Sequence, residues 1–428
     1  MLCSAVNVVR FLTQSAASTL ATARVLRGGA SARAPALLCA AAFAVCALPS
    51  AAPGSSGGES QAPARATPGK SDQLSVRSKR DGSLQLLSGS VTTNNLDHVV
   101  VSVGGKDNKL DSELVVRITW GDVPAAYKDG RVYLLRDQFS DAAAQFRLCA
   151  ADPSARDVVK ASARLLAAQS LLRWGASDPL HFSAAAEEAG KFLAEFPMNR
   201  EVPEVRMLQA RAKWMAGQTS EAAQLYKSIY AEWTPTSSTP GYRRDLCLEA
   251  ALYSARAMCQ VQPPDTLGAR ELYTSLDKAA AAALAGLEAN DPSRARLIQL
   301  RDEGALGDGF AELASGNSPQ AMTFFQGKLA TRATSTDTLR FGASFGLAQA
   351  LRAGGKLREA QIEFARVIGL DHSDRDRVAE AHLGLADTTL KLADPDSVPQ
   401  AKAWLDAVAT SLGDTLAARR AREMLQKL

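Results

Sequence analysis

Five times along the chain an alanine is followed, four positions later, by an aromatic residue. The copies are AAAQF (Ala142, Phe146), AAQLY (Ala222, Tyr226), ARELY (Ala269, Tyr273), AMTFF (Ala321, Phe325) and AQIEF (Ala360, Phe364). AAEEA (Ala185, Ala189) and AKAWL (Ala401, Leu405) are weaker copies, and successive anchor alanines lie 43, 37, 47, 52, 39 and 41 residues apart. Positions four apart share one face of a helix. The alanine lets a neighbouring helix come close, and the aromatic fills the wider gap beside it. Five residues before three of the anchors stands a glycine, Gly217, Gly316 or Gly355, where a preceding helix would end in a sharp turn. One such hairpin cannot bury its apolar stripe alone, whereas stacked hairpins bury a continuous core. The spacing therefore predicts a mainly α chain from Pro124 onward, with Pro124 suited to a helix start.

In this pattern the chain resembles the tetratricopeptide repeat family, whose units carry small residues in helix A and A-x3-F in helix B. Three stretches carry the resemblance best: EVRMLQARAKWMAGQTSEAAQLYKSIY, FAELASGNSPQAMTFFQGKL and FGASFGLAQALRAGGKLREAQIEFARVIGLD. The family period is about 34 residues. Every spacing here is longer, and inserted loops such as TPTSSTPG and QPPD explain part of the excess. The resemblance covers about residues 124–413 and implies an α-solenoid of about seven helical hairpins. A polar helix, DTLAARRAREMLQKL, would close the array, which spans 124–428.

The resemblance also implies a non-catalytic scaffold whose A helices line a concave groove for a protein or peptide. Carried over by register, the third unit would present Glu204, Met207, Arg211, Trp214 and Met215. The sixth would present Phe345, Gln349 and Arg352, and the seventh Glu380, Leu383, Asp387 and Lys391. Trp214 and Phe345 would be apolar anchors, and Arg211 and Arg352 would meet carboxylates. The competing reading puts Trp214 in the core, because large aromatics are mostly buried. The residues chosen as partner-binding are Arg211, Trp214, Phe345, Gln349, Arg352 and Asp387. The lysine and asparagine arrangement by which some relatives clamp a C-terminal carboxylate is not evident.

Upstream, residues 81–123 change to a period of two. SLQLLSGSV, DHVVVSV and ELVVRITW predict three or four short antiparallel strands. Val99, Val101 and Val103 would share one face; Val115 would face opposite to Val116, Ile118 and Trp120. A sheet this small needs support, and the expectation is a cap resting on the first helices. Residues 53–80 are read as a disordered linker, on the Gly-, Pro- and Ser-rich stretch PGSSGGESQAPARATPGKS.

Residues 1–52 are read as a targeting segment. Residues 1–34 hold four arginines and no acidic residue, followed by the apolar run APALLCAAAFAVCALPSAA. This fits a secretory signal with a long basic n-region, cleaved after Ala47 or shortly beyond, and places the chain in the periplasm or cell envelope of a bacterium. A mitochondrial transit peptide fits the same arginine- and serine-rich composition. An uncleaved segment tethering the chain to a membrane is the further alternative. Neither Cys39 nor Cys46 follows the small residue of a lipoprotein signal, so no lipid anchor is expected.

The net charge of +4 is dominated by this leader. Residues 1–80 carry nine Lys and Arg against Glu59 and Asp72, or +7, leaving 4 − 7 = −3 for the rest. A slightly acidic array argues against nucleic-acid binding, which needs a basic face. Cys149, Cys247 and Cys259 are read as small apolar residues rather than a disulfide.

No enzyme, metal or cofactor is expected. GASFG, Gly342 to Gly346, matches the G-x-S-x-G of serine hydrolases, but that motif needs a strand-to-helix turn that exposes the serine. Ser344 stands instead inside a helix-A pattern, and a hydrolase using it is the remote alternative. Gly307-Asp-Gly309 lacks the third glycine of a dinucleotide site. His98, His181, His372 and His382 are scattered. Asp371, Asp374 and Asp376 lack the glycine and closing glutamate of a calcium loop; a solvated turn with a helix N-cap is the expectation. A purely structural spacer is the remaining alternative.

Overall fold

The computed structural model describes residues 71–428, except Asp81, Pro235, Asn290, residues 332–335 and Ser373. The chain divides into two units, 1–67 and 68–428, and all described residues lie in the second. The leader and most of the linker read from the sequence lie outside the described residues.

Among the described residues seven helical hairpins follow one another. The first helices of the pairs are α1 (Ala125–Leu135), α3 (Asp157–Gly175), α5 (Val202–Met215) and α7 (Arg244–Met258). They continue with a split helix, α9 (Arg294–Ala305) and α10 (Gly307–Ala314), then α12 (Asp337–Ala353) and α14 (Arg375–Leu392). Their partners are α2 (Phe139–Ala151), α4 (Leu180–Glu195), α6 (Thr219–Tyr230), α8 (Thr266–Ala285), α11 (Ser318–Ala330), α13 (Leu357–Leu370) and α15 (Ser397–Ser411). A final helix, α16 (Leu416–Leu425), buries Ala417, Ala418 and Ala421 and closes the series. Each helix packs on its sequence neighbours, as short connections require. Among the described residues no helix is long and apolar enough to cross a membrane.

The alanine–aromatic pairs are the spine of the core. All seven anchor alanines are fully buried, and their partners Phe146, Tyr226, Tyr273, Phe325, Phe364, Ala189 and Leu405 are buried with them. The aromatics rest on glycines of first helices: Phe146 against Gly130, Phe325 against Gly309 and Gly346, Phe364 against Gly384. The small residue that admits a ring is thus often on the facing helix, which the sequence pattern did not reveal. Gly217, Gly316 and Gly355 take φ of +88°, +83° and +75°, the left-handed turn expected before the second helix. The array is tetratricopeptide-like in fold.

The N-terminal module is larger than expected. Strands β1 (Asp72–Arg77), β2 (Leu84–Asn94), β3 (His98–Val103), β4 (Lys106–Asp111) and β5 (Val115–Thr119) form one antiparallel sheet in the order β4-β3-β2-β1-β5. Strand β1 lies inside the stretch read as linker. Its register with β5 shifts between Ser75 and Val76, pairing Ser75 with Arg117 and Val76 with Val115. This bulge leaves Val116 unpaired. Val115, Ile118 and Trp120 therefore join one apolar cluster with Leu74, Val91, Val99 and Val101, correcting the strict alternation read for this strand. Two short strands, β6 (Trp233–Thr234) and β7 (Ser237–Ser238), pair at the start of the TPTSSTPG insertion.

Asp72 fastens the sheet to the helices. Its side chain is buried and accepts from the backbone amides of Val91 at 2.8 Å and Gly121 at 2.9 Å. Arg156, just before α3, donates both terminal nitrogens to it at 2.8 Å. Arg200 donates to the Val115 carbonyl at 2.5 Å, and Asn95 bridges to Asn199.

Candidate functional site: the polar inner face

The inner face was expected to be an open groove. In the structure its middle is met by the far end of the array. The N-terminal turn of α14, with the loop before it, reaches the third, fourth and fifth hairpins.

The local sequence explains how. Asp374 is the N-cap of α14, its side chain accepting from the Arg377 amide at 3.0 Å. That capping role is as expected, but the turn is only partly solvated: His372 and Arg375 are exposed, while Asp371 and Arg377 are buried. Asp371 is 2% exposed, and Arg377 is 4% exposed. Arg377 donates to Asp371 at 2.6 Å and to Glu303 of α9 at 2.5 Å. Arg256 of α7 donates to Glu303 and to Asp374, each at 3.0 Å. Gly304, next to Glu303, lets α9 lie against the backbone of Asp277, 2.7 Å from where a Cβ would stand.

A looser shell surrounds this buried knot. Arg211 of α5 meets Asp376 at 3.4 Å and donates to the Asp414 carbonyl at 3.0 Å. Arg375 pairs with the Asp414 side chain at 2.9 Å, and Arg296 with Glu249 at 2.9 Å. Farther out, Arg419 of α16 donates to the Met215 carbonyl at 3.3 Å, and Arg422 donates to the Ala176 carbonyl. Between these groups a cavity of about 320 Å³ remains. It is lined by Arg211, Glu249, Tyr253, Arg256, Arg296, Gln299, Glu303, Arg375 and Asp376, among others.

In the buried knot two guanidiniums, Arg256 and Arg377, are shared among three carboxylates, Asp371, Asp374 and Glu303, and the proton affinities follow. Burial opposes the charge on Asp374, but Arg256 and Arg377 outweigh it and hold its carboxyl below the ordinary value. Burial likewise opposes the charge of Arg256 and Arg377, and Glu303 and Asp374 more than offset it, so both guanidiniums are held charged. Burial also disfavours the charge on Arg211, and Asp376 reverses the balance. Removing one partner from such a knot costs about 3–5 kcal/mol, because it strands a buried charge.

The residues chosen from the sequence separate into two groups. Trp214 is 4% exposed, packs edge-on against Tyr226 and Tyr253, and donates its Nε1–H to Gln260 at 3.3 Å. Phe345 is 8% exposed and sits between Phe310 and Phe364. Both are core residues rather than anchors offered to a partner; the face that carries them is turned inward by the same apolar packing that builds the array. Met215 and Leu383 are buried with them. Arg211 belongs to the polar shell. Arg352 and Asp387, on neighbouring first helices, are brought together at 3.4 Å, and Lys391 also reaches Asp387, at 2.9 Å. Gln349 is half-buried on the same helix as Arg352. Glu380 accepts from Arg420 of α16 at 2.9 Å. Glu204 faces Arg243 at 3.2 Å, and Met207 is half-buried. Sequence reading missed Arg256, Glu303 and Arg377; the only local signal was the alternating charge of DHSDRDR.

Ser344 lies in the interior of α12 at 2% exposure, where no elbow exposes it. Among the described residues no group of three His, Cys, Asp or Glu is placed to hold a metal ion.

These features define a helical-hairpin repeat array with a charged, cross-tied inner face. No protein-family model and no curated protein matches the chain. Among solved structures, a tetratricopeptide repeat protein from Parabacteroides merdae ATCC 43184 aligns over 70% of this chain and 96% of its own, with 14% identity and a TM-score of 0.44.

Proposed function

We propose that the chain is a non-catalytic scaffold that binds a protein or peptide through the inner face of its helical array. The observation that supports this is the row of half-buried charged side chains on successive first helices. Arg211, Arg256, Arg296, Arg352 and Asp387 stand on α5, α7, α9, α12 and α14 around and beyond a polar cavity. Such side chains give specificity and on-rate through charge complementarity. The Arg-rich, acid-free leader and its apolar run support export to the periplasm or envelope of a bacterium.

The test is a paired capture with the full chain as bait. The comparison bait carries Arg296→Ala, Gln299→Ala and Arg352→Ala, all half-buried positions off the main core, with its helicity checked by circular dichroism. A stoichiometric partner held by the wild type and lost by the variant supports the inner face. A partner held equally by both moves recognition to the sheet or the outer helices. Sequencing the N-terminus of the mature chain tests export: a start shortly after Ala47 supports it, and a start at Met1 does not.

A further inference from the structure

The edges of the N-terminal sheet are not alike. On β4 four of the six residues are charged, Lys106, Asp107, Lys109 and Asp111, and charges on an edge deter pairing with another chain. Strand β5 is met by Arg200, which donates to the Val115 carbonyl. The first half of β2 has no such guard. Strand β1 pairs with residues 84–89 of β2, and β3 pairs with residues 90–94 on its other side. Gly89 is where the two part: a Cβ there would stand 2.6 Å from the Ser102 carbonyl oxygen of β3. Leu84 to Ser88 therefore have β1 on one side and, among the described residues, no strand on the other. They lie in SLQLLSGSVTTNNL, residues 83–96, which holds neither a charge nor a proline. Leu84 is 62% exposed and Leu86 is 68% exposed. A bare apolar edge of this kind is a template for a further strand.

The register says which backbone groups face outward. Ser78 donates its N–H to the Ser83 carbonyl at 2.8 Å, which makes that pair a bonded one. Bonded pairs alternate along an antiparallel ladder. Gln85 and Leu87 are thus turned to β1, opposite Val76 and Leu74, and the N–H and C=O of Leu84, Leu86 and Ser88 face the open side. We propose that this half of β2 is a strand-addition site for an extended segment of a partner protein, apolar along its length and acidic at one end. Backbone bonds to Leu84, Leu86 and Ser88 hold such a segment, and cross-strand contacts with Leu84 and Leu86 favour apolar side chains on it. The acidic end follows from two arginines on the same face. Arg77 stands opposite Leu84 on β1, and Arg117 stands in the row of Leu86 on β5; both are exposed and unpaired among the described residues. A residue of the added strand opposite Leu84 lies two strand spacings, about 9.5 Å, from Arg77. An arginine and a glutamate side chain together span that gap over Leu84. A second copy of this chain offers no carboxylate on its own bare edge, so it would leave both arginines unpaired. The surface is separate from the inner face of the helical array, and its failure leaves the scaffold reading standing.

The probe is a fluorescent peptide, GTVVIEEG, which lies antiparallel to Leu84–Ser88 with its first glutamate opposite Leu84. One control peptide carries an N-methyl group on the second valine, which removes the amide facing Leu86; the other is GTVVIKKG. Binding is read by anisotropy on the full chain, as wild type, as Leu84→Ser/Leu86→Ser and as Arg77→Ala/Arg117→Ala. The wild type is expected to bind the acidic probe about tenfold tighter than either control. The serine variant loses about tenfold in affinity for the acidic probe, and the alanine variant loses the preference for glutamate over lysine. Residue-resolved amide exchange gives the signature of strand addition. In the free chain Leu84, Leu86 and Ser88 exchange faster than Gln85 and Leu87, and saturation with the acidic probe protects Leu86. Equal binding of the N-methylated peptide overturns the proposal, as does equal binding of the lysine peptide. So does a bound probe that leaves the Leu86 amide unprotected, or one that the serine variant binds as well as the wild type. The N-methyl comparison leaves the protein unaltered and therefore stands even if a variant loses its sheet. Dimerisation of the wild type that the probe does not displace and the serine variant abolishes would also overturn it, since the occupant would then be a second copy.

Discussion

Replacing a glycine by alanine inside a helix ordinarily stabilises it by about 1 kcal/mol, because glycine has more backbone freedom to lose. At Gly384 in α14 the sign should reverse. A Cβ there would stand 2.3 Å from Cζ of Phe364 and 2.6 Å from both Cε atoms. Carbon atoms in contact prefer about 3.5–4.0 Å, so the ring must move by more than 1 Å. It has nowhere to go. Phe364 is fully buried, and its ring is 6.3 Å from that of Phe345, centroid to centroid. Overpacking of this kind costs about 1–3 kcal/mol. Set against the propensity gain of about 1 kcal/mol, Gly384→Ala should give no stabilisation and destabilise by up to about 2 kcal/mol. Gly327→Ala is the control: the residue is exposed in α11 with nothing within 4 Å of a new Cβ, and it should stabilise by about 0.5–1 kcal/mol. The assay is guanidinium unfolding followed by circular dichroism, with Phe364→Leu added to complete a double-mutant cycle. Trimming the ring should restore at least about 1 kcal/mol of the Gly384→Ala loss. If Gly384→Ala stabilises as much as Gly327→Ala, the idea that glycines on facing helices seat the aromatic spine is wrong.

His382 on α14 has a buried Nδ1 without a partner, and burial pushes its pKa down from 6.5 to about 4. The unfolded chain takes up the proton first, so stability is fully present above pH about 6.5 and falls by roughly 3 kcal/mol as pH drops to about 4; His382→Leu should flatten that part of the pH–stability curve. Asp72→Ala removes the carboxylate shared by Arg156 and two backbone amides and should cost about 3 kcal/mol or more, read as loss of amide protection in β1 and β2. Burial pushes the Cys149 thiol up to about 11 and the Cys247 thiol up to about 12, so neither should react with iodoacetamide at pH 8 until the chain is unfolded. A fluorophosphonate should leave the native chain unlabelled, since Ser344 is enclosed in α12.

The array was legible because its signal is local. An alanine and an aromatic four apart report one helix face, and a glycine five residues earlier reports one turn. Strand β1 was not legible: SDQLSVRS offers two apolar side chains, and what makes it a strand is pairing with β2 and β5 together with Arg156, 84 positions away. The inner face failed for the same reason. Register placed Arg211, Arg352 and Asp387 on first helices, but could not show that Asp376 would come to Arg211 from the far end. Nor could it weigh Trp214 as anchor against Trp214 as core, because that choice depends on Tyr226 and Tyr253 closing around the indole.

The bond between Arg422 and the Ala176 carbonyl, with that between Arg419 and the Met215 carbonyl, has a mechanical consequence. An open stack of hairpins is a spring: small rotations between neighbours add up, and a pull on one end lengthens the whole. Here the last helix is tied to the end of α3 and the end of α5, so the coils between them form a closed hoop. A load on any hairpin within the hoop is shared in both directions around it, and the hoop resists stretching until a tie is broken. The first two helices lie outside that hoop by sequence, whereas the sheet is tied into it through Asn95–Asn199 and through Arg200 on the Val115 carbonyl.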